Sequence, residues 1–254
     1  MTESAPLMAC FDESSGKGFT VVAGWIASVE QWDHFEVDWN LFLISYKVPY
    51  LHMKEYSQSV GPFAKWKGSP HVRARFLHDA WEIIGSRVRK GLVCCVQDVL
   101  FNRINRFYRL DERFPSCYAL AGRECMAWAN RQATSAREEV RCIFDDGGPD
   151  KNGLIDSVDI EPRLPRPVFE PSRDVPDRKR GTRRGRVQIQ AADFLAYELR
   201  KYAVDHALIR TGRRTPRKPL EMFGQKRPDT KFFTEQRLLE QCEAFGIERR
   251  VAVA

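Results

Sequence analysis

The alternation of apolar and polar residues along the chain predicts a mixed α/β fold. Short apolar runs rich in β-branched residues are typical of buried strands, and longer stretches with apolar residues every three or four positions are typical of helices. The predicted strands cover 7–11, 19–27, 91–99 and 139–144, and the predicted helices cover 29–46, 70–89, 115–133, 189–209 and 232–245. This order favours one mixed sheet with helices on both faces.

Local signals place the first elements more firmly. Glu13–Gly18 is a short, turn-forming link, so the first two strands are expected to form an antiparallel hairpin. Ser28 is the expected N-cap of the first helix, with Gln31 three residues later as in a capping box. By contrast, 49–68 is expected to be irregular, and 149–187, which holds six prolines, is expected to be mainly loop with a short strand at 168–169.

Three aspartates occupy positions that suit a metal site. Asp12 and Asp145 each follow an apolar run, and Asp193 borders the apolar face of a predicted helix. Carboxylates held together repel each other unless a proton or a cation lies between them. Mg²⁺ and Mn²⁺ prefer such oxygen ligands. We therefore expect a metal site if the strands are neighbours, although each residue also has a structural explanation, as a turn former or a helix cap.

Other residues with chemical potential are fewer. His52 and Glu55 could face one another if their segment is helical. Glu13 should point away from Asp12 along an extended chain and is expected to be solvated. The sequence contains no Walker loop, dinucleotide fingerprint, nucleophile elbow or zinc spacing.

The charge distribution suggests a polyanionic partner. The chain of 254 residues is 43% apolar, enough for one large domain, and carries a net charge of +7. The positive excess lies in 163–186, with nine Arg/Lys against three Asp/Glu, and in 210–227, with seven against one. Phosphate contact would use these segments, although a solvated loop explains them equally simply. The residues expected to bind nucleic acid are Arg178, Lys179, Arg180, Arg183, Arg184, Arg186, Arg213 and Arg214.

Cysteine usage and hydropathy suggest a cellular compartment. The seven cysteines form no Cys-x-x-Cys pair and mostly lie among apolar residues, as buried thiols do in a reducing environment. The chain begins without a signal-peptide pattern and contains no apolar stretch long enough to span a membrane. We expect a cytoplasmic protein with no membrane partner.

Four short motifs together resemble one family. They are Phe11-Asp-Glu-Ser14, Leu51-His52 with Glu55, Phe144-Asp145-Asp146, and Gln190-Ala-Ala-Asp193-Phe-Leu-Ala-Tyr197. In this order they resemble the blocks of the bacterial and phage family called domain of unknown function 3800 (DUF3800), and the last block is the most specific. The chain departs from the family pattern where Ser15 intervenes before Gly16, and where the link from Ser172 to Gln188 is longer and more basic.

The resemblance implies an RNase H-like fold: a mixed sheet opened by an antiparallel hairpin, with helices on both faces. We expect one such domain over 1–254, with basic loop insertions near 163–187 and 210–228. In that group an acidic cluster holds two divalent ions. Asp12, Asp145 and Asp193 would then be the ligands, and either Glu55 or Asp146 would be the fourth.

Two functions follow as the main hypotheses, and a metal-dependent phosphatase or nucleotidase that uses the same acids on a small substrate is a third. The first is an Mg²⁺- or Mn²⁺-dependent nuclease in which Asp12, Asp145 and Asp193 are the catalytic ligands. The second is a non-catalytic nucleic-acid-binding or regulatory component of a phage-defence or mobile-element system. The sequence leaves open RNA or DNA as the target, and a protein partner or a homo-oligomer as the assembly.

Overall fold

The centre of the molecule is a six-stranded mixed sheet. The computed structural model of the protein describes residues 6–177, 181–210 and 227–250, without the side chains of 208–210. The sheet has the order β5-β4-β1-β2-β3-β8, and β6 and β7 form a separate two-stranded ribbon. The strands are β1 (Leu7–Gly16), β2 (Phe19–Ser28), β3 (Lys90–Gln97), β4 (Val140–Asp145), β5 (Val168–Glu170), β6 (Val175–Asp177), β7 (Gly181–Arg183) and β8 (Asp229–Phe233).

The strand directions confirm the predicted fold class. β2 runs antiparallel to β1 and β3, while β4 runs parallel to both β1 and β5. The sheet is therefore mixed and opens with an antiparallel hairpin, as the RNase H-like resemblance implies.

The first hairpin is longer than the sequence pattern suggested. β1 continues through Glu13 and Ser14, which pair with Val22 and Val21, so Asp12 lies inside the strand and the prediction that it ends one is wrong. The turn itself consists of Lys17 and Gly18, both at positive φ (54° and 82°). Two residues at positive φ suit a tight hairpin whose twist matches that of the strands.

Helices cover both faces of the sheet, as predicted. One core contains residues of α1, α3 and α8, and the other contains residues of α4, α5, α6, α7 and α9. The helices are α1 (Val29–Ser45), α2 (Met53–Gln58), α3 (Pro70–Arg87), α4 (Asp98–Phe107), α5 (Leu110–Arg113), α6 (Cys117–Ala136), α7 (Lys151–Asp159), α8 (Val187–Arg210) and α9 (Glu235–Ala244), with a 3₁₀ helix at Gly61–Trp66. The capping box of Ser28 and Gln31 at α1 is present.

Several predicted boundaries are corrected. The region 49–68 contains two short helices, and 149–187 contains α7 and three strands, of which β5 belongs to the main sheet. The last helix begins at Glu235 and not at Phe232, because Phe232 pairs in β8 and the Thr234 side chain caps α9. The insertion predicted near 210–228 lies almost wholly outside the described residues.

Nearly all the cysteines are buried, as their apolar surroundings in the sequence predicted. All seven cysteines are free, and all except Cys117 are buried. Across the described part of the chain, every helix is too short or too polar to cross a bilayer.

Candidate metal centre

Asp12 and Asp145 are brought together by the register of two parallel strands. Cys10 and Phe11 of β1 lie beside Ile143 and Phe144 of β4. Cys10 and Ile143 belong to the core on the α8 side of the sheet. Because side chains alternate along a strand, Asp12 and Asp145, two residues further on, turn toward the same side. Both are half-buried.

Asp193 reaches the same place from α8. Ile189, Ala192 and Ala196 of this helix are fully buried, and its second turn presents Asp193, which is 7% exposed. The main-chain N–H of Met53, at the start of α2, donates to Asp193 Oδ2 at 2.6 Å. This bond holds the carboxylate in place without neutralising its charge.

The three carboxylates influence one another electrostatically. Burial raises the pKa of Asp12 well above its usual value, and the charges of Asp193 and Asp145 raise it further. Burial also raises the pKa of Asp193 to about 6, against the opposing effects of the Met53 N–H and of His52. Clustered hard-oxygen donors that repel one another are the set that a divalent cation would neutralise, so their chemistry fits Mg²⁺ or Mn²⁺.

The side chains do not yet form a closed coordination sphere. Within residues 6–177, 181–207 and 227–250, no group of three or more His, Cys, Asp or Glu side chains stands close enough together to hold one metal ion. Their oxygens instead accept main-chain N–H groups: Asp12 from Glu13 at 2.6 Å, and Asp145 from Gly147 at 2.7 Å and Ser172 at 3.2 Å. Binding one ion between them would require these carboxylates to turn.

Glu13 is a fourth acidic residue that sequence reasoning set aside as solvated. It does point away from Asp12, but it is half-buried, and burial raises its pKa. Its charge also raises the pKa of Asp193. The Asp-Glu doublet in the sequence correctly indicated the direction of the Glu13 side chain. It could not indicate that helices also cover the opposite face of the sheet.

Asp146 and Glu55, the two expected alternatives for a fourth ligand, are both held by other donors. Asp146 pairs with Lys151 and with Arg183 at 2.6 Å. Partial burial alone would raise its pKa, but these two cations outweigh it and the pKa is lowered.

Glu55 is held in the same way by three donors. It accepts from the Tyr50 hydroxyl at 2.9 Å, lies 3.2 Å from His52 Nδ1 and 3.3 Å from Arg173 Nη1. Hydrogen bonds from these groups outweigh the effect of burial and lower the pKa of Glu55. It is therefore an anchor for the residues around it.

Gln190, the first residue of the Gln190–Tyr197 motif, makes three hydrogen bonds around the acids. Its Oε1 accepts from Leu51 N–H at 2.8 Å and from Trp39 Nε1 at 2.9 Å, while its Nε2 donates to Ser172 O at 2.8 Å. Since Ser172 N–H in turn binds Asp145, this one buried amide fixes two of the segments that surround the acids. Gln190 and Asp193, three residues apart on α8, thus organise the same site.

A cavity of about 290 Å³ opens beside Asp145. Its lining includes Asp145, Asp146, His52 and Arg173. The Arg173 guanidinium lies 4.5 Å from the centroid of the Tyr50 ring, is 43% exposed, and lines this cavity while paired with Glu55. Sequence reasoning had not singled out Arg173, because it appears there as one of nine basic residues in a loop.

The basic residues expected to bind nucleic acid are only partly described. Arg183 pairs with Asp146, Arg184 with Glu36, and Arg186 with Glu170. These three therefore fasten their segment to the body of the protein. The other five, Arg178, Lys179, Arg180, Arg213 and Arg214, lie outside the described residues.

Comparison with known proteins finds similarity to solved structures. No protein-family profile matches the chain, and no curated protein matches it. Among solved structures, it is similar to the ribonuclease H2 from Pyrococcus horikoshii OT3, with 14% sequence identity, a TM-score of 0.42, and coverage of 94% of this chain and 86% of that chain. At this TM-score the likeness supports no conclusion about activity, ligands or site residues.

Proposed function

We propose that the protein is a divalent-metal-dependent nuclease that hydrolyses phosphodiester bonds of nucleic acid. The observation that carries the proposal is the convergence of Asp12, Asp145 and Asp193 from β1, β4 and α8 at one side of the sheet. Asp145 also lines an open cavity beside this side of the sheet. The resemblance to the DUF3800 family is part of the same proposal.

The site residues would have two roles, metal binding and phosphate binding. Asp12, Asp145 and Asp193 would hold Mg²⁺ or Mn²⁺, and either Glu55 or Asp146 would be the fourth carboxylate after release from its present cation. When bound, the ions supply an activated water and stabilise charge on the departing oxygen. Arg173, which also lines the cavity, would position a phosphate group by charge and bidentate hydrogen bonding once released from Glu55.

A panel of labelled substrates tests the proposal. Single- and double-stranded RNA, DNA and RNA–DNA hybrids are incubated with the protein in Mg²⁺ or Mn²⁺, with Asp193→Asn as the inactive variant. Asp33→Asn is the matched control, since Asp33 is an exposed carboxylate on α1. Cleavage of at least one substrate by the wild type and by Asp33→Asn, but not by Asp193→Asn, is the expected result.

The second function, a non-catalytic nucleic-acid-binding or regulatory component, is favoured by one observation. Each of the three aspartates already accepts a main-chain N–H, so the cluster can serve as a structural element without an ion. This function predicts binding that weakens with salt, no cleavage of any substrate, and equal binding by Asp193→Asn and the wild type.

A further inference from the structure

Helix α1 has an apolar stripe on the side that faces away from the core. Val37, Leu41 and Ile44 are 59%, 61% and 70% exposed. Spacings of four and three residues place them in one line along the helix. They are three of the five most exposed large apolar side chains in the described part of the chain, so they form a patch and are not scattered singly.

The stripe continues into a groove between α1 and α3. This groove has a volume of about 450 Å³, and its lining includes Leu41, Ser45, Asp79, Glu82 and Ile83. The inner side of α1 is already used by the core, through Trp32, Phe35, Trp39, Phe42 and Leu43. The groove is thus a shallow apolar surface that the fold leaves open.

The charge around this surface is acidic, although the whole chain carries +7. Helix α1 has four acidic residues and no Lys or Arg. Two of them are paired, Asp38 with Arg87 at 2.7 Å and Glu36 with Arg184. The other two, Glu30 and Asp33, form no ion pair with any described residue.

The remaining acids belong to the groove. Asp79 accepts from the Tyr46 hydroxyl at 2.6 Å and lies 3.8 Å from Arg75. Glu82 is exposed and forms no ion pair with any described residue. Glu30 and Asp33 precede the apolar stripe on the same side of α1, and Glu82 borders the groove, so three acidic side chains are available around one apolar surface.

We propose that the outer side of α1 and the α1–α3 groove dock an amphipathic basic helix of a protein partner. Its apolar side chains would pack on Leu41 and Ile44, as in helix-in-groove recognition. Its Lys or Arg residues would face Glu30, Asp33 and Glu82. A second copy of the chain would offer another acidic α1 without Lys or Arg, so this helix could not supply the complementary charge. The proposal does not depend on the nuclease activity.

Two synthetic helical peptides with the same leucine stripe test this surface, one carrying Lys and the other Glu at its remaining positions. Fluorescence anisotropy measures their binding to the wild-type chain. Leu41→Ser/Ile44→Ser removes the two most exposed apolar side chains of the stripe. Val99→Ser/Ile160→Ser is the matched control, because these residues are 61% and 65% exposed on the opposite side of the sheet. Circular dichroism verifies that each variant is folded.

The Lys peptide is expected to bind the wild type and the control equally, and Leu41→Ser/Ile44→Ser at least about tenfold more weakly. Neutralising Glu30, Asp33 and Glu82 together with Gln or Asn should weaken binding and reduce its salt dependence. No binding of the Lys peptide, equal binding of both peptides, or unchanged binding by Leu41→Ser/Ile44→Ser would overturn the proposal. So would a wild-type dimer that this variant abolishes in analytical ultracentrifugation, since the occupant would then be a second copy.

Discussion

Phe11 of β1 and Phe144 of β4 lie side by side in parallel register, with ring centroids 5.1 Å apart. Both rings are buried in the core on the α6 side. Because side chains alternate, the next residue on each strand, Asp12 or Asp145, must face the α8 side. An apolar contact on one face of the sheet therefore fixes the positions of two carboxylates on the other.

The buried carboxyl group of Asp193 should make the stability of the protein depend on pH. The pKa of Asp193 rises from 3.8 to about 6 on folding, so the folded state binds this proton more tightly than the unfolded state. Stability is therefore lost as the pH rises from about 4 through 6. In EDTA at about pH 8, the free energy of unfolding of Asp193→Asn should exceed that of the wild type by on the order of 2 kcal/mol. Below about pH 4 the two proteins should differ little.

Urea unfolding at the two pH values measures this difference. The Asn side chain can still accept the Met53 N–H bond, so the substitution removes charge and leaves the main contact in place. An Asp193→Asn protein that is less stable than the wild type at about pH 8 would show that the surroundings of Asp193 favour its charged form, which contradicts a raised pKa.

Metal binding should reverse the loss of stability that the charged form of Asp193 causes at high pH. At an Mg²⁺ or Mn²⁺ concentration about 100 times the dissociation constant, one bound ion stabilises the folded state by about 2.7 kcal/mol. Replacing EDTA with metal should therefore raise the Tm of the wild type and of Asp33→Asn, and leave that of Asp12→Asn and Asp193→Asn nearly unchanged. An equal rise in all four proteins would place the bound metal elsewhere.

Gln190 should matter more for folding than its size suggests. Gln190→Leu leaves the Leu51 N–H, the Trp39 indole N–H and the Ser172 carbonyl without their partner. Each buried unsatisfied group costs about 1–3 kcal/mol, so a loss of several kcal/mol is expected from chemical denaturation.

Gln188→Leu is the control for that substitution. Gln188 is equally buried on the same helix, but its hydrogen bonds are longer, at 3.4 and 3.3 Å. Its loss of stability should be clearly smaller. Equal losses would mean that the three bonds of Gln190 contribute no more than general packing.

Gly24 permits the close approach of β1 and β2. A Cβ atom at this position would lie 2.0 Å from the Cys10 carbonyl oxygen, whereas one at Gly85 of α3 would meet no atom within 4 Å. Gly24→Ala should therefore destabilise the protein by about 3 kcal/mol or more, because main chain has to move. Gly85→Ala should stabilise it by up to about 1 kcal/mol, through helix propensity. Comparable Tm values for the two variants would contradict this explanation of Gly24.

The sequence predicted those parts of the fold that local signals determine. The first hairpin, the capping box of Ser28 and Gln31, and helix α8 were all visible as periodicity or turn chemistry. β8 was missed because Phe232 and Phe233 also fit the helical spacing of the segment that follows. Their pairing with Cys95 and Val96 depends on a strand more than 130 residues away.

The candidate site was predictable only in its acids. The motif order located Asp12, Asp145 and Asp193, but their grouping follows from strand register, which no local pattern determines. The burial of Glu13 was unpredictable for the same reason, because it depends on the helix that covers the opposite face of the sheet. The pairing of Arg183 and Asp146 is likewise a long-range contact, invisible in a run of basic residues.

The most direct measurement is the single-turnover cleavage rate of the best substrate in Mn²⁺, for the wild type, Asp193→Asn and Asp33→Asn. If Asp12, Asp145 and Asp193 form a metal-dependent hydrolytic site, Asp33→Asn retains the wild-type rate, and Asp193→Asn falls by at least about 100-fold, more than about 2.7 kcal/mol of lost transition-state stabilisation. Folded Asp193→Asn protein that cleaves at the wild-type rate would contradict such a site.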